Sequence, residues 1–259
     1  MVCIVTFLYQ SNPEYPLILV QNRDEAYDRK SQPIHFWNDF PDVLAGIDTL
    51  HGGTWAGITK TGRLASLTNR PFEDFSALDS TLSRGKLVKD YLTKTQSPEA
   101  FLKQLRSTRY SYDSYQLIFG SIDNVQVYSN ATNDHRVLQP GLYSLSNTED
   151  DLSQHKTTRA AELVGNYLNR HPQADLDVLI TLFNDKKKAE ALHHYPDHIP
   201  SDVAKNNSSI FIEGETYGTV NTTALMVHKS GKVTLKEVRY NQAGPLEATE
   251  EMFQMDATD

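Results

Sequence analysis

Two kinds of local pattern alternate along this 259-residue chain, and the alternation restricts its fold more than any single motif does. β-rich runs around a turn signal predict an opening hairpin from Cys3–Tyr9 and Leu17–Gln21. A second hairpin is predicted from Thr54–Ile58 and Arg63–Thr68, with Gly62 supplying a positive φ. Apolar residues at helical spacing predict helices between later strands. Hairpins mixed with helix pairs favour an α+β fold with mainly antiparallel sheets.

The second half of the chain continues both patterns. The sequence predicts a third helix over about Thr157–Asn169, a fourth capped by Asp175, and strands that include Ser209–Glu213. The tail after Gly244-Pro245 is acidic and weakly patterned, which predicts a frayed end after about residue 244. Because no repeat or long linker divides the sequence, we expect a single domain over residues 1–259.

Charge and composition exclude several classes of function. The net charge of −8 makes the chain a poor candidate for binding a nucleic-acid backbone. A single cysteine excludes a disulfide framework and a CxxC zinc site within one chain. No stretch approaches the roughly 18 apolar residues of a membrane span, and the short apolar start does not resemble a signal peptide. We therefore expect a cytoplasmic protein with a small-molecule partner, its oligomeric state being open.

The candidates for chemistry begin with Cys3 and the charged run Asn22-Arg23-Asp24-Glu25. If the first two strands pair, Cys3 and this run share one end of a sheet. Arg23 would then lower the pKa of the thiol, and Asp24 could orient an amine or the guanidinium. Two structural alternatives remain open: a cysteine that is only a small core hydrophobe, and a strand-to-loop exit with a local ion pair.

Three asparagine and tryptophan positions form a second group of candidates. Trp55 lies among glycines in His51–Gly57, which indicates either a shaped pocket wall or a tight turn with a buried ring. Asn69 and Asn147 each end a strand run and offer a carboxamide donor that suits an oxyanion. Asparagine is also an ordinary turn residue, so this second interpretation stays open.

Metal-type ligands are densest at His193, His194, Asp197 and His198. Their spacing does not match a helical HExxH motif, because Pro196 interrupts the run. We interpret the segment as a solvent-facing loop and predict no metal site.

Five short motifs, taken in order, resemble the NRDE family, also called the transport and Golgi organization family. They extend from the first predicted strand to the penultimate one and are Asn22-Arg23-Asp24-Glu25, Gly52-Gly53-Thr54-Trp55, Leu67-Thr68-Asn69, Leu145-Ser146-Asn147 and Tyr217-Gly218-Thr219. The resemblance implies an N-terminal-nucleophile hydrolase-like fold, a four-layer αββα sandwich of two mainly antiparallel sheets between helical layers.

The resemblance also implies a mechanism. In cysteine members of that superfamily the chain-terminal cysteine is the nucleophile and its own α-amine is the base; these groups titrate near pH 8.5 and pH 8 respectively. Carried over, Cys3 would attack an amide, ester or thioester carbonyl, and Arg23 and Asp24 would tune the thiolate and the amine. Asn147, alone or with Asn69, would hold the oxyanion. The implied substrate contacts are Asn22, Glu25, Trp55 and Asn69.

The chain departs from the family pattern at two positions. Val2 separates Met1 from Cys3, so the α-amine mechanism requires both residues to be removed, and Val220 stands where members often carry arginine.

The family is also linked to haem handling and to lipid metabolism. The alternative is therefore a non-catalytic binding or trafficking protein for haem or another hydrophobic ligand. The hydrolase requires no cofactor, whereas histidines, tyrosines and Cys3 could serve as axial haem ligands.

Overall fold

The computed structural model describes residues 3–69, 82–146, 151–195 and 199–256, with the backbone alone for residues 151–153. It contains two compact units. The first unit comprises Met1–Asp28 and Pro140–Met252, and the second comprises Arg29–Gln139 and Phe253–Asp259. No described helix is long and apolar enough to cross a membrane.

The elements are as follows in chain order. The strands are β1 Ile4–Tyr9, β2 Leu17–Ala26, β3 Ser31–Phe36, β4 Val43–Asp48, β5 Ala56–Thr59, β6 Arg63–Asn69, β7 Tyr115–Ser121, β8 Asn124–Ser129, β9 Asp134–Val137, β10 Gly141–Leu145, β11 Tyr217–Val227, β12 Lys232–Asn241 and β13 Gly244–Gln254. The helices are α1 Gly85–Thr93, α2 Pro98–Ser107, α3 Asp151–Arg170, α4 Leu176–Leu182 and α5 Ser201–Asn207.

A six-stranded sheet in the order β10-β1-β2-β11-β12-β13 forms the frame of the first unit. β1 pairs with β2 antiparallel in a register that sets Ile4 opposite Asn22, and β2 pairs antiparallel with β11. Helices α3 and α4 cover one face, where Ala160 and Val164 join the core around Ile4 and Val20. Because alternate residues of a strand share a face, the even-numbered positions 18, 20, 22 and 24 of β2 lie on this helix-covered face.

The second unit is built on a seven-stranded antiparallel sheet in the order β3-β4-β5-β6-β7-β8-β9. Helices α1 and α2 pack on it through an aromatic cluster, in which the Tyr91 and Phe101 rings lie 4.8 Å apart and both meet Phe119. Gly62 has a φ of 76° in the turn between β5 and β6, as the sequence predicts. The predicted α+β class with two antiparallel sheets is confirmed.

One predicted strand is wrong. Ser209–Glu213 forms no strand, because its backbone groups bind scattered backbone and side-chain partners in place of a continuous ladder. The Ser209 hydroxyl donates to the Phe211 carbonyl at 2.7 Å, and the Thr219 hydroxyl accepts from the Ile212 amide at 2.9 Å.

The frayed end predicted after residue 244 is also corrected. Gly244–Gln254 forms β13, which is hydrogen-bonded to β12 at the edge of the first sheet. Its side chains are mostly exposed, and charged exposed side chains are common on edge strands. The absence of a hydrophobic pattern therefore marked an edge strand rather than disorder. The single domain over residues 1–259 stays a prediction.

Candidate active site

Cys3 lies immediately before β1 and is 2% exposed. The β1–β2 register sets Ile4 opposite Asn22, so its continuation by one residue sets Cys3 beside Arg23. Cys3 is thus adjacent to the charged run, as expected if the first two strands pair. Its backbone carbonyl accepts a hydrogen bond of 3.0 Å from the Ser146 hydroxyl, which ties the start of β1 to the residue that follows β10.

Burial dominates the electrostatics of the thiol. The pKa of Cys3 is raised to about 11, mainly by desolvation and next by the negative charge of Asp24. A hydrogen bond to the Asp24 backbone and the charge of Arg23 act in the opposite direction, with smaller effects. Arg23 therefore lowers the pKa of the thiol, as predicted, but burial raises that pKa by more. In the chain that retains the residues before Cys3, the thiol is protonated at neutral pH.

Asp24 is fully buried on the helix-covered face of the sheet. Its Oδ1 accepts a hydrogen bond of 2.6 Å from the Thr219 hydroxyl, and its backbone carbonyl accepts one of 3.2 Å from the Tyr217 hydroxyl. Its Oδ2 makes no hydrogen bond within the described ranges. Burial raises the pKa of Asp24 to about 6, although the charge of Lys156 and the Thr219 hydrogen bond lower it. The carboxylate is therefore ionised at pH 7 and close to its titration.

Arg23 and Glu25 lie on the opposite face of β2 from Asp24. Arg23 is 3% exposed, and its Nη2 lies 3.9 Å from Glu25 Oε2. β11 sets Asn221 opposite Arg23, just after an irregularity in register between Thr219 and Asn221. Neither amide atom of the buried Asn221 side chain makes a hydrogen bond to a described residue. The cluster is part of the sheet interior, because β2 continues to Ala26, so it is not a strand-to-loop exit.

Asn22 makes a full set of contacts within the first unit. Its Nδ2 donates to the carbonyls of Phe183 and Ile210, at 2.9 Å each, and its Oδ1 accepts from the Thr222 hydroxyl at 2.7 Å. Both amide hydrogens are used, and the side chain is fully buried. This geometry favours a structural role for Asn22 over the predicted substrate contact.

Trp55 and Asn69 belong to the second unit, and both are buried. The ring of Trp55 packs so closely over Gly46 that a Cβ there would lie 2.4 Å from it. This supports the interpretation of a tight segment with a buried ring. Asn69 ends β6 opposite Tyr115. Their substrate contacts stay predictions.

The remaining candidates separate into two cases. Asn147, Asp197 and His198 lie outside the described residues. His193 and His194 are exposed in a loop, as expected. Within the described ranges no three His, Cys, Asp or Glu side chains could hold a metal ion together.

The sequence did not predict a role at this site for three residues, Lys156, Thr219 and Asn221. Thr219 stands in the Tyr217-Gly218-Thr219 motif, so a signal for it existed. Lys156 is fully buried on α3, where its charge acts on Asp24. No local pattern distinguished Lys156 or Asn221 from ordinary polar residues.

Two solved structures have a fold similar to that of this chain. Penicillin V acylase from Agrobacterium tumefaciens is similar with a TM-score of 0.53 at 12% identity, over 97% of this chain and 86% of that one. A mutant of conjugated bile acid hydrolase from Clostridium perfringens is similar with a TM-score of 0.53 at 10% identity, over 98% and 97%. The fold is that of the N-terminal-nucleophile hydrolases, as predicted.

The sequence comparisons show the family within this class. The model of the Transport and Golgi organisation 2 family matches residues 2–242. The Transport and Golgi organization protein 2 homolog of Homo sapiens is 31% identical over 258 residues, which is 91% of this chain and 92% of the human protein. The chain belongs to the Transport and Golgi organisation 2 family, and the predicted resemblance is confirmed.

Proposed function

We propose that this protein is a cysteine hydrolase or acyltransferase of the N-terminal-nucleophile type, acting on a small amide, ester or thioester. One observation carries the proposal. Cys3 stands directly before β1, beside the Arg23 and Asp24 end of β2, on a fold shared with an acylase and a hydrolase. The names of those two proteins favour an acyl compound as substrate.

The electrostatics of the uncleaved chain support activation by cleavage before Cys3. A thiol with a pKa of about 11 is a poor nucleophile at neutral pH, and its backbone nitrogen is an amide without basicity. Removal of every residue before Cys3 creates an α-amine that titrates near pH 8. The same cleavage places this base on the residue that carries the thiol, so nucleophile and base arise together.

In the proposed reaction, Cys3 supplies both the nucleophile and the base, and neighbouring side chains stabilise the charges. The α-amine accepts the thiol proton, Sγ bonds to the carbonyl carbon, and the leaving group takes the proton from the ammonium. Water or another acceptor then releases the acyl group from the thioester. Asp24 holds the ammonium, Arg23 favours the thiolate, and Asn147 stays the predicted oxyanion donor.

An acyl adduct on Cys3 is the direct test. We expect a chain that begins at Cys3 to gain the mass of the acyl group from at least one of three probes: a p-nitrophenyl ester, an acyl p-nitroanilide or an acyl N-acetylcysteamine thioester. Cys3→Ala in the same shortened chain is the matched control and should gain none. The proposal is wrong if a folded chain beginning at Cys3 yields neither adduct nor turnover with all three probes.

A cavity in the first unit supports a second candidate function, the binding of an apolar ligand. Its volume is about 500 Å³, and its lining includes Phe211, Tyr240 and Val238. The Phe211 and Tyr240 rings meet edge to face at 4.9 Å. The lining also includes Lys186, Glu213 and Asp177. Lys186 Nζ lies 2.7 Å from Glu213 Oε1, and Asp177 Oδ1 lies 2.6 Å from Lys236 Nζ, so each of these charges is compensated. The lining suits an uncharged apolar ligand.

The donors of this cavity do not fit haem. Its lining offers Tyr27 and Tyr240 as phenol oxygens, and among the described residues it includes no His, Cys or Met. Burial raises the pKa of both phenols, which disfavours the phenolate form that would bind iron. Haem binding elsewhere on the chain stays a prediction, and a saturable Soret shift at micromolar haem is its test.

Filling this cavity should remove apolar binding. We expect Val238→Trp to weaken the binding of the uncharged dye Nile red at least tenfold, because the indole would occupy the space beside Phe211. Fluorescence titration measures this. Val203→Trp, at an exposed position of α5, adds the same ring elsewhere and should leave the affinity unchanged. Equal affinities in the two variants would exclude this cavity as the binding site.

A further inference from the structure

We propose that Asn221 is a specificity-determining residue of the Cys3 site, whose carboxamide binds the N–H and the carbonyl of an amino-acid residue in the substrate. This inference rests on the proposed function and narrows its substrate class to acyl compounds that carry a peptide-like group beside the bond that is cleaved. Asn221 belongs to none of the five motifs that carry the family resemblance.

The register of three strands sets Cys3 and Asn221 in one row across the first sheet. Arg23 of β2 lies opposite Asn221 of β11, and continuation of the β1–β2 register by one residue sets Cys3 beside Arg23. Directly opposite residues of antiparallel strands present their side chains on the same face. Cys3 and Asn221 therefore share one face, and the two strand spacings between them amount to roughly 10 Å.

An irregularity in β11 turns Asn221 onto that face. The Thr219 and Thr222 hydroxyls both donate to side chains of β2 on its helix-covered face. Residues an odd number of positions apart would lie on opposite faces of a regular strand, so there is one extra residue between these two. The register shift places this extra residue at Val220. Bulges of this kind redirect side chains beside active sites, and here the bulge sets Asn221 on the face of Cys3.

The side chain of Asn221 has a donor and an acceptor without hydrogen bonds. The residue is 1% exposed, and neither Nδ2 nor Oδ1 bonds to any residue in the part of the chain that the structure describes. A buried amide without partners is costly, so such groups are nearly always paired in folded proteins. Asn22, by contrast, is also buried and uses its amide in three hydrogen bonds. The Asn221 amide therefore has its full bonding capacity left for a ligand in the row of Cys3.

The pairing of one donor with one acceptor selects the chemistry of the ligand. An ester or a thioester group offers acceptors only, so it would leave Oδ1 of Asn221 without a donor. In an extended chain the N–H and the carbonyl of one residue point to the same side, as they do in an antiparallel ladder. A carboxamide can bind both groups, donating through Nδ2 and accepting through Oδ1. An amino-acid residue in extended conformation therefore satisfies the whole side chain.

The length of the row places that residue next to the bond that is cleaved. A contact of about 3 Å is needed at each end, between Sγ of Cys3 and the reacting carbonyl and between Asn221 and the bound residue. About 4 Å of the roughly 10 Å remains, which is close to the rise of about 3.4 Å per residue in an extended chain. Both ends of the row are buried in the chain that retains the residues before Cys3, so the chain that begins at Cys3 is the one to test.

Binding to a chain that cannot react tests the recognition without catalysis. The chain begins at position 3 and carries Cys3→Ala, and the two probes are N-acetyl-alanyl-glycine p-nitroanilide and the analogue in which an ester oxygen replaces the alanine N–H. We expect the first probe to bind at least tenfold more tightly in a calorimetric titration, because the ester leaves Oδ1 unpaired. Asn221→Leu should remove this preference, and Asn12→Leu, in the turn between β1 and β2, should keep it. Equal binding of the two probes, or no binding of the first, would overturn the inference.

The sign of a stability change tests the unpaired amide in the full chain. Asn221→Leu keeps the number of side-chain heavy atoms and removes both polar atoms, so we expect the equilibrium constant for unfolding in urea to fall at least fivefold. Asn22→Leu is the matched control in the neighbouring strand and should raise that constant, because three hydrogen bonds are lost. Asn221→Val tests whether the larger volume of leucine hides the gain. Destabilisation by both Asn221 variants would mean that the folded chain or a bound water already pairs this amide, which contradicts the inference.

The two proposals fail separately. Equal binding of the two probes, in a protein whose Cys3 forms the acyl adduct, would remove the role of Asn221 and leave the hydrolase. A preference for the peptide probe that depends on Asn221, in a protein that forms no adduct when it begins at Cys3, would keep the recognition and remove the catalysis.

Discussion

A chain that begins at Cys3 should alkylate with iodoacetamide at least about 30-fold faster at pH 7.5 than the chain that begins at Met1. The change is the removal of the two residues before Cys3, which creates an α-amine, and we expect it to give the thiol access to solvent. The pKa of the covered thiol is about 11, whereas that of an exposed cysteine is near 8.5. The difference gives about 300-fold more thiolate at this pH.

Part of that gain is lost again, because a less basic thiolate is a weaker nucleophile. With a Brønsted coefficient of about 0.4, a fall of about 2.5 pKa units costs roughly tenfold in intrinsic reactivity. The remaining factor is about 30, and relief from burial adds to it. The alkylation rates should also depend differently on pH. The rate of the shortened chain should level off above about pH 9, and that of the longer chain should still be rising at pH 10.

Mass spectrometry of the intact protein measures both rates without ambiguity, because Cys3 is the single cysteine. A chain that begins at Val2 is the matched control: it exposes a free amine one residue away from the thiol and should stay slow. If the folded chain beginning at Cys3 reacts as slowly as the one beginning at Met1, burial of the thiol does not depend on the preceding residues. Activation by cleavage would then be excluded.

The sequence was sufficient for the first hairpin and for the neighbourhood of Cys3. The apolar runs of β1 and β2 are local signals, and antiparallel pairing of consecutive strands brings the start of one beside the end of the other. What the pattern missed was the length of β2. It ends at Ala26 because β11 pairs along its whole charged end, setting Tyr217 opposite Ala26. No local sequence pattern near residue 22 indicates that long-range pairing.

Lys156 and Asn221 show why the rest of the site could not be predicted. The sequence predicts α3 from about Thr157, whereas the helix starts at Asp151, so the lysine fell outside the predicted apolar face. Within a helix a lysine is normally a surface residue, and only the packing of α3 in the folded chain buries Lys156. Asn221 follows an irregularity in β11, which changes the alternation of faces that sequence reading assumes. Both positions depend on tertiary contacts.

Asn22 offers the second large expected effect, this time on stability. Asn22→Ala removes three hydrogen bonds and leaves the carbonyls of Phe183 and Ile210 buried without that donor. Each buried group that loses its partner costs about 1–3 kcal/mol, so we expect a loss of about 4 kcal/mol in the free energy of unfolding. Urea denaturation monitored by circular dichroism measures it.

Asn12→Ala is the matched control, because Asn12 also makes three hydrogen bonds in the same unit. It donates to the Pro172 carbonyl and accepts from the amides of Glu14 and Tyr15, but it is partly exposed at a turn. Water can replace the lost partners there, so we expect a cost of about 1 kcal/mol. A large difference between the two variants means that the first residue of the Asn22–Glu25 motif joins β2 to α4 and β11 as a structural residue. Equal losses would contradict that role and return Asn22 to the candidates for substrate binding.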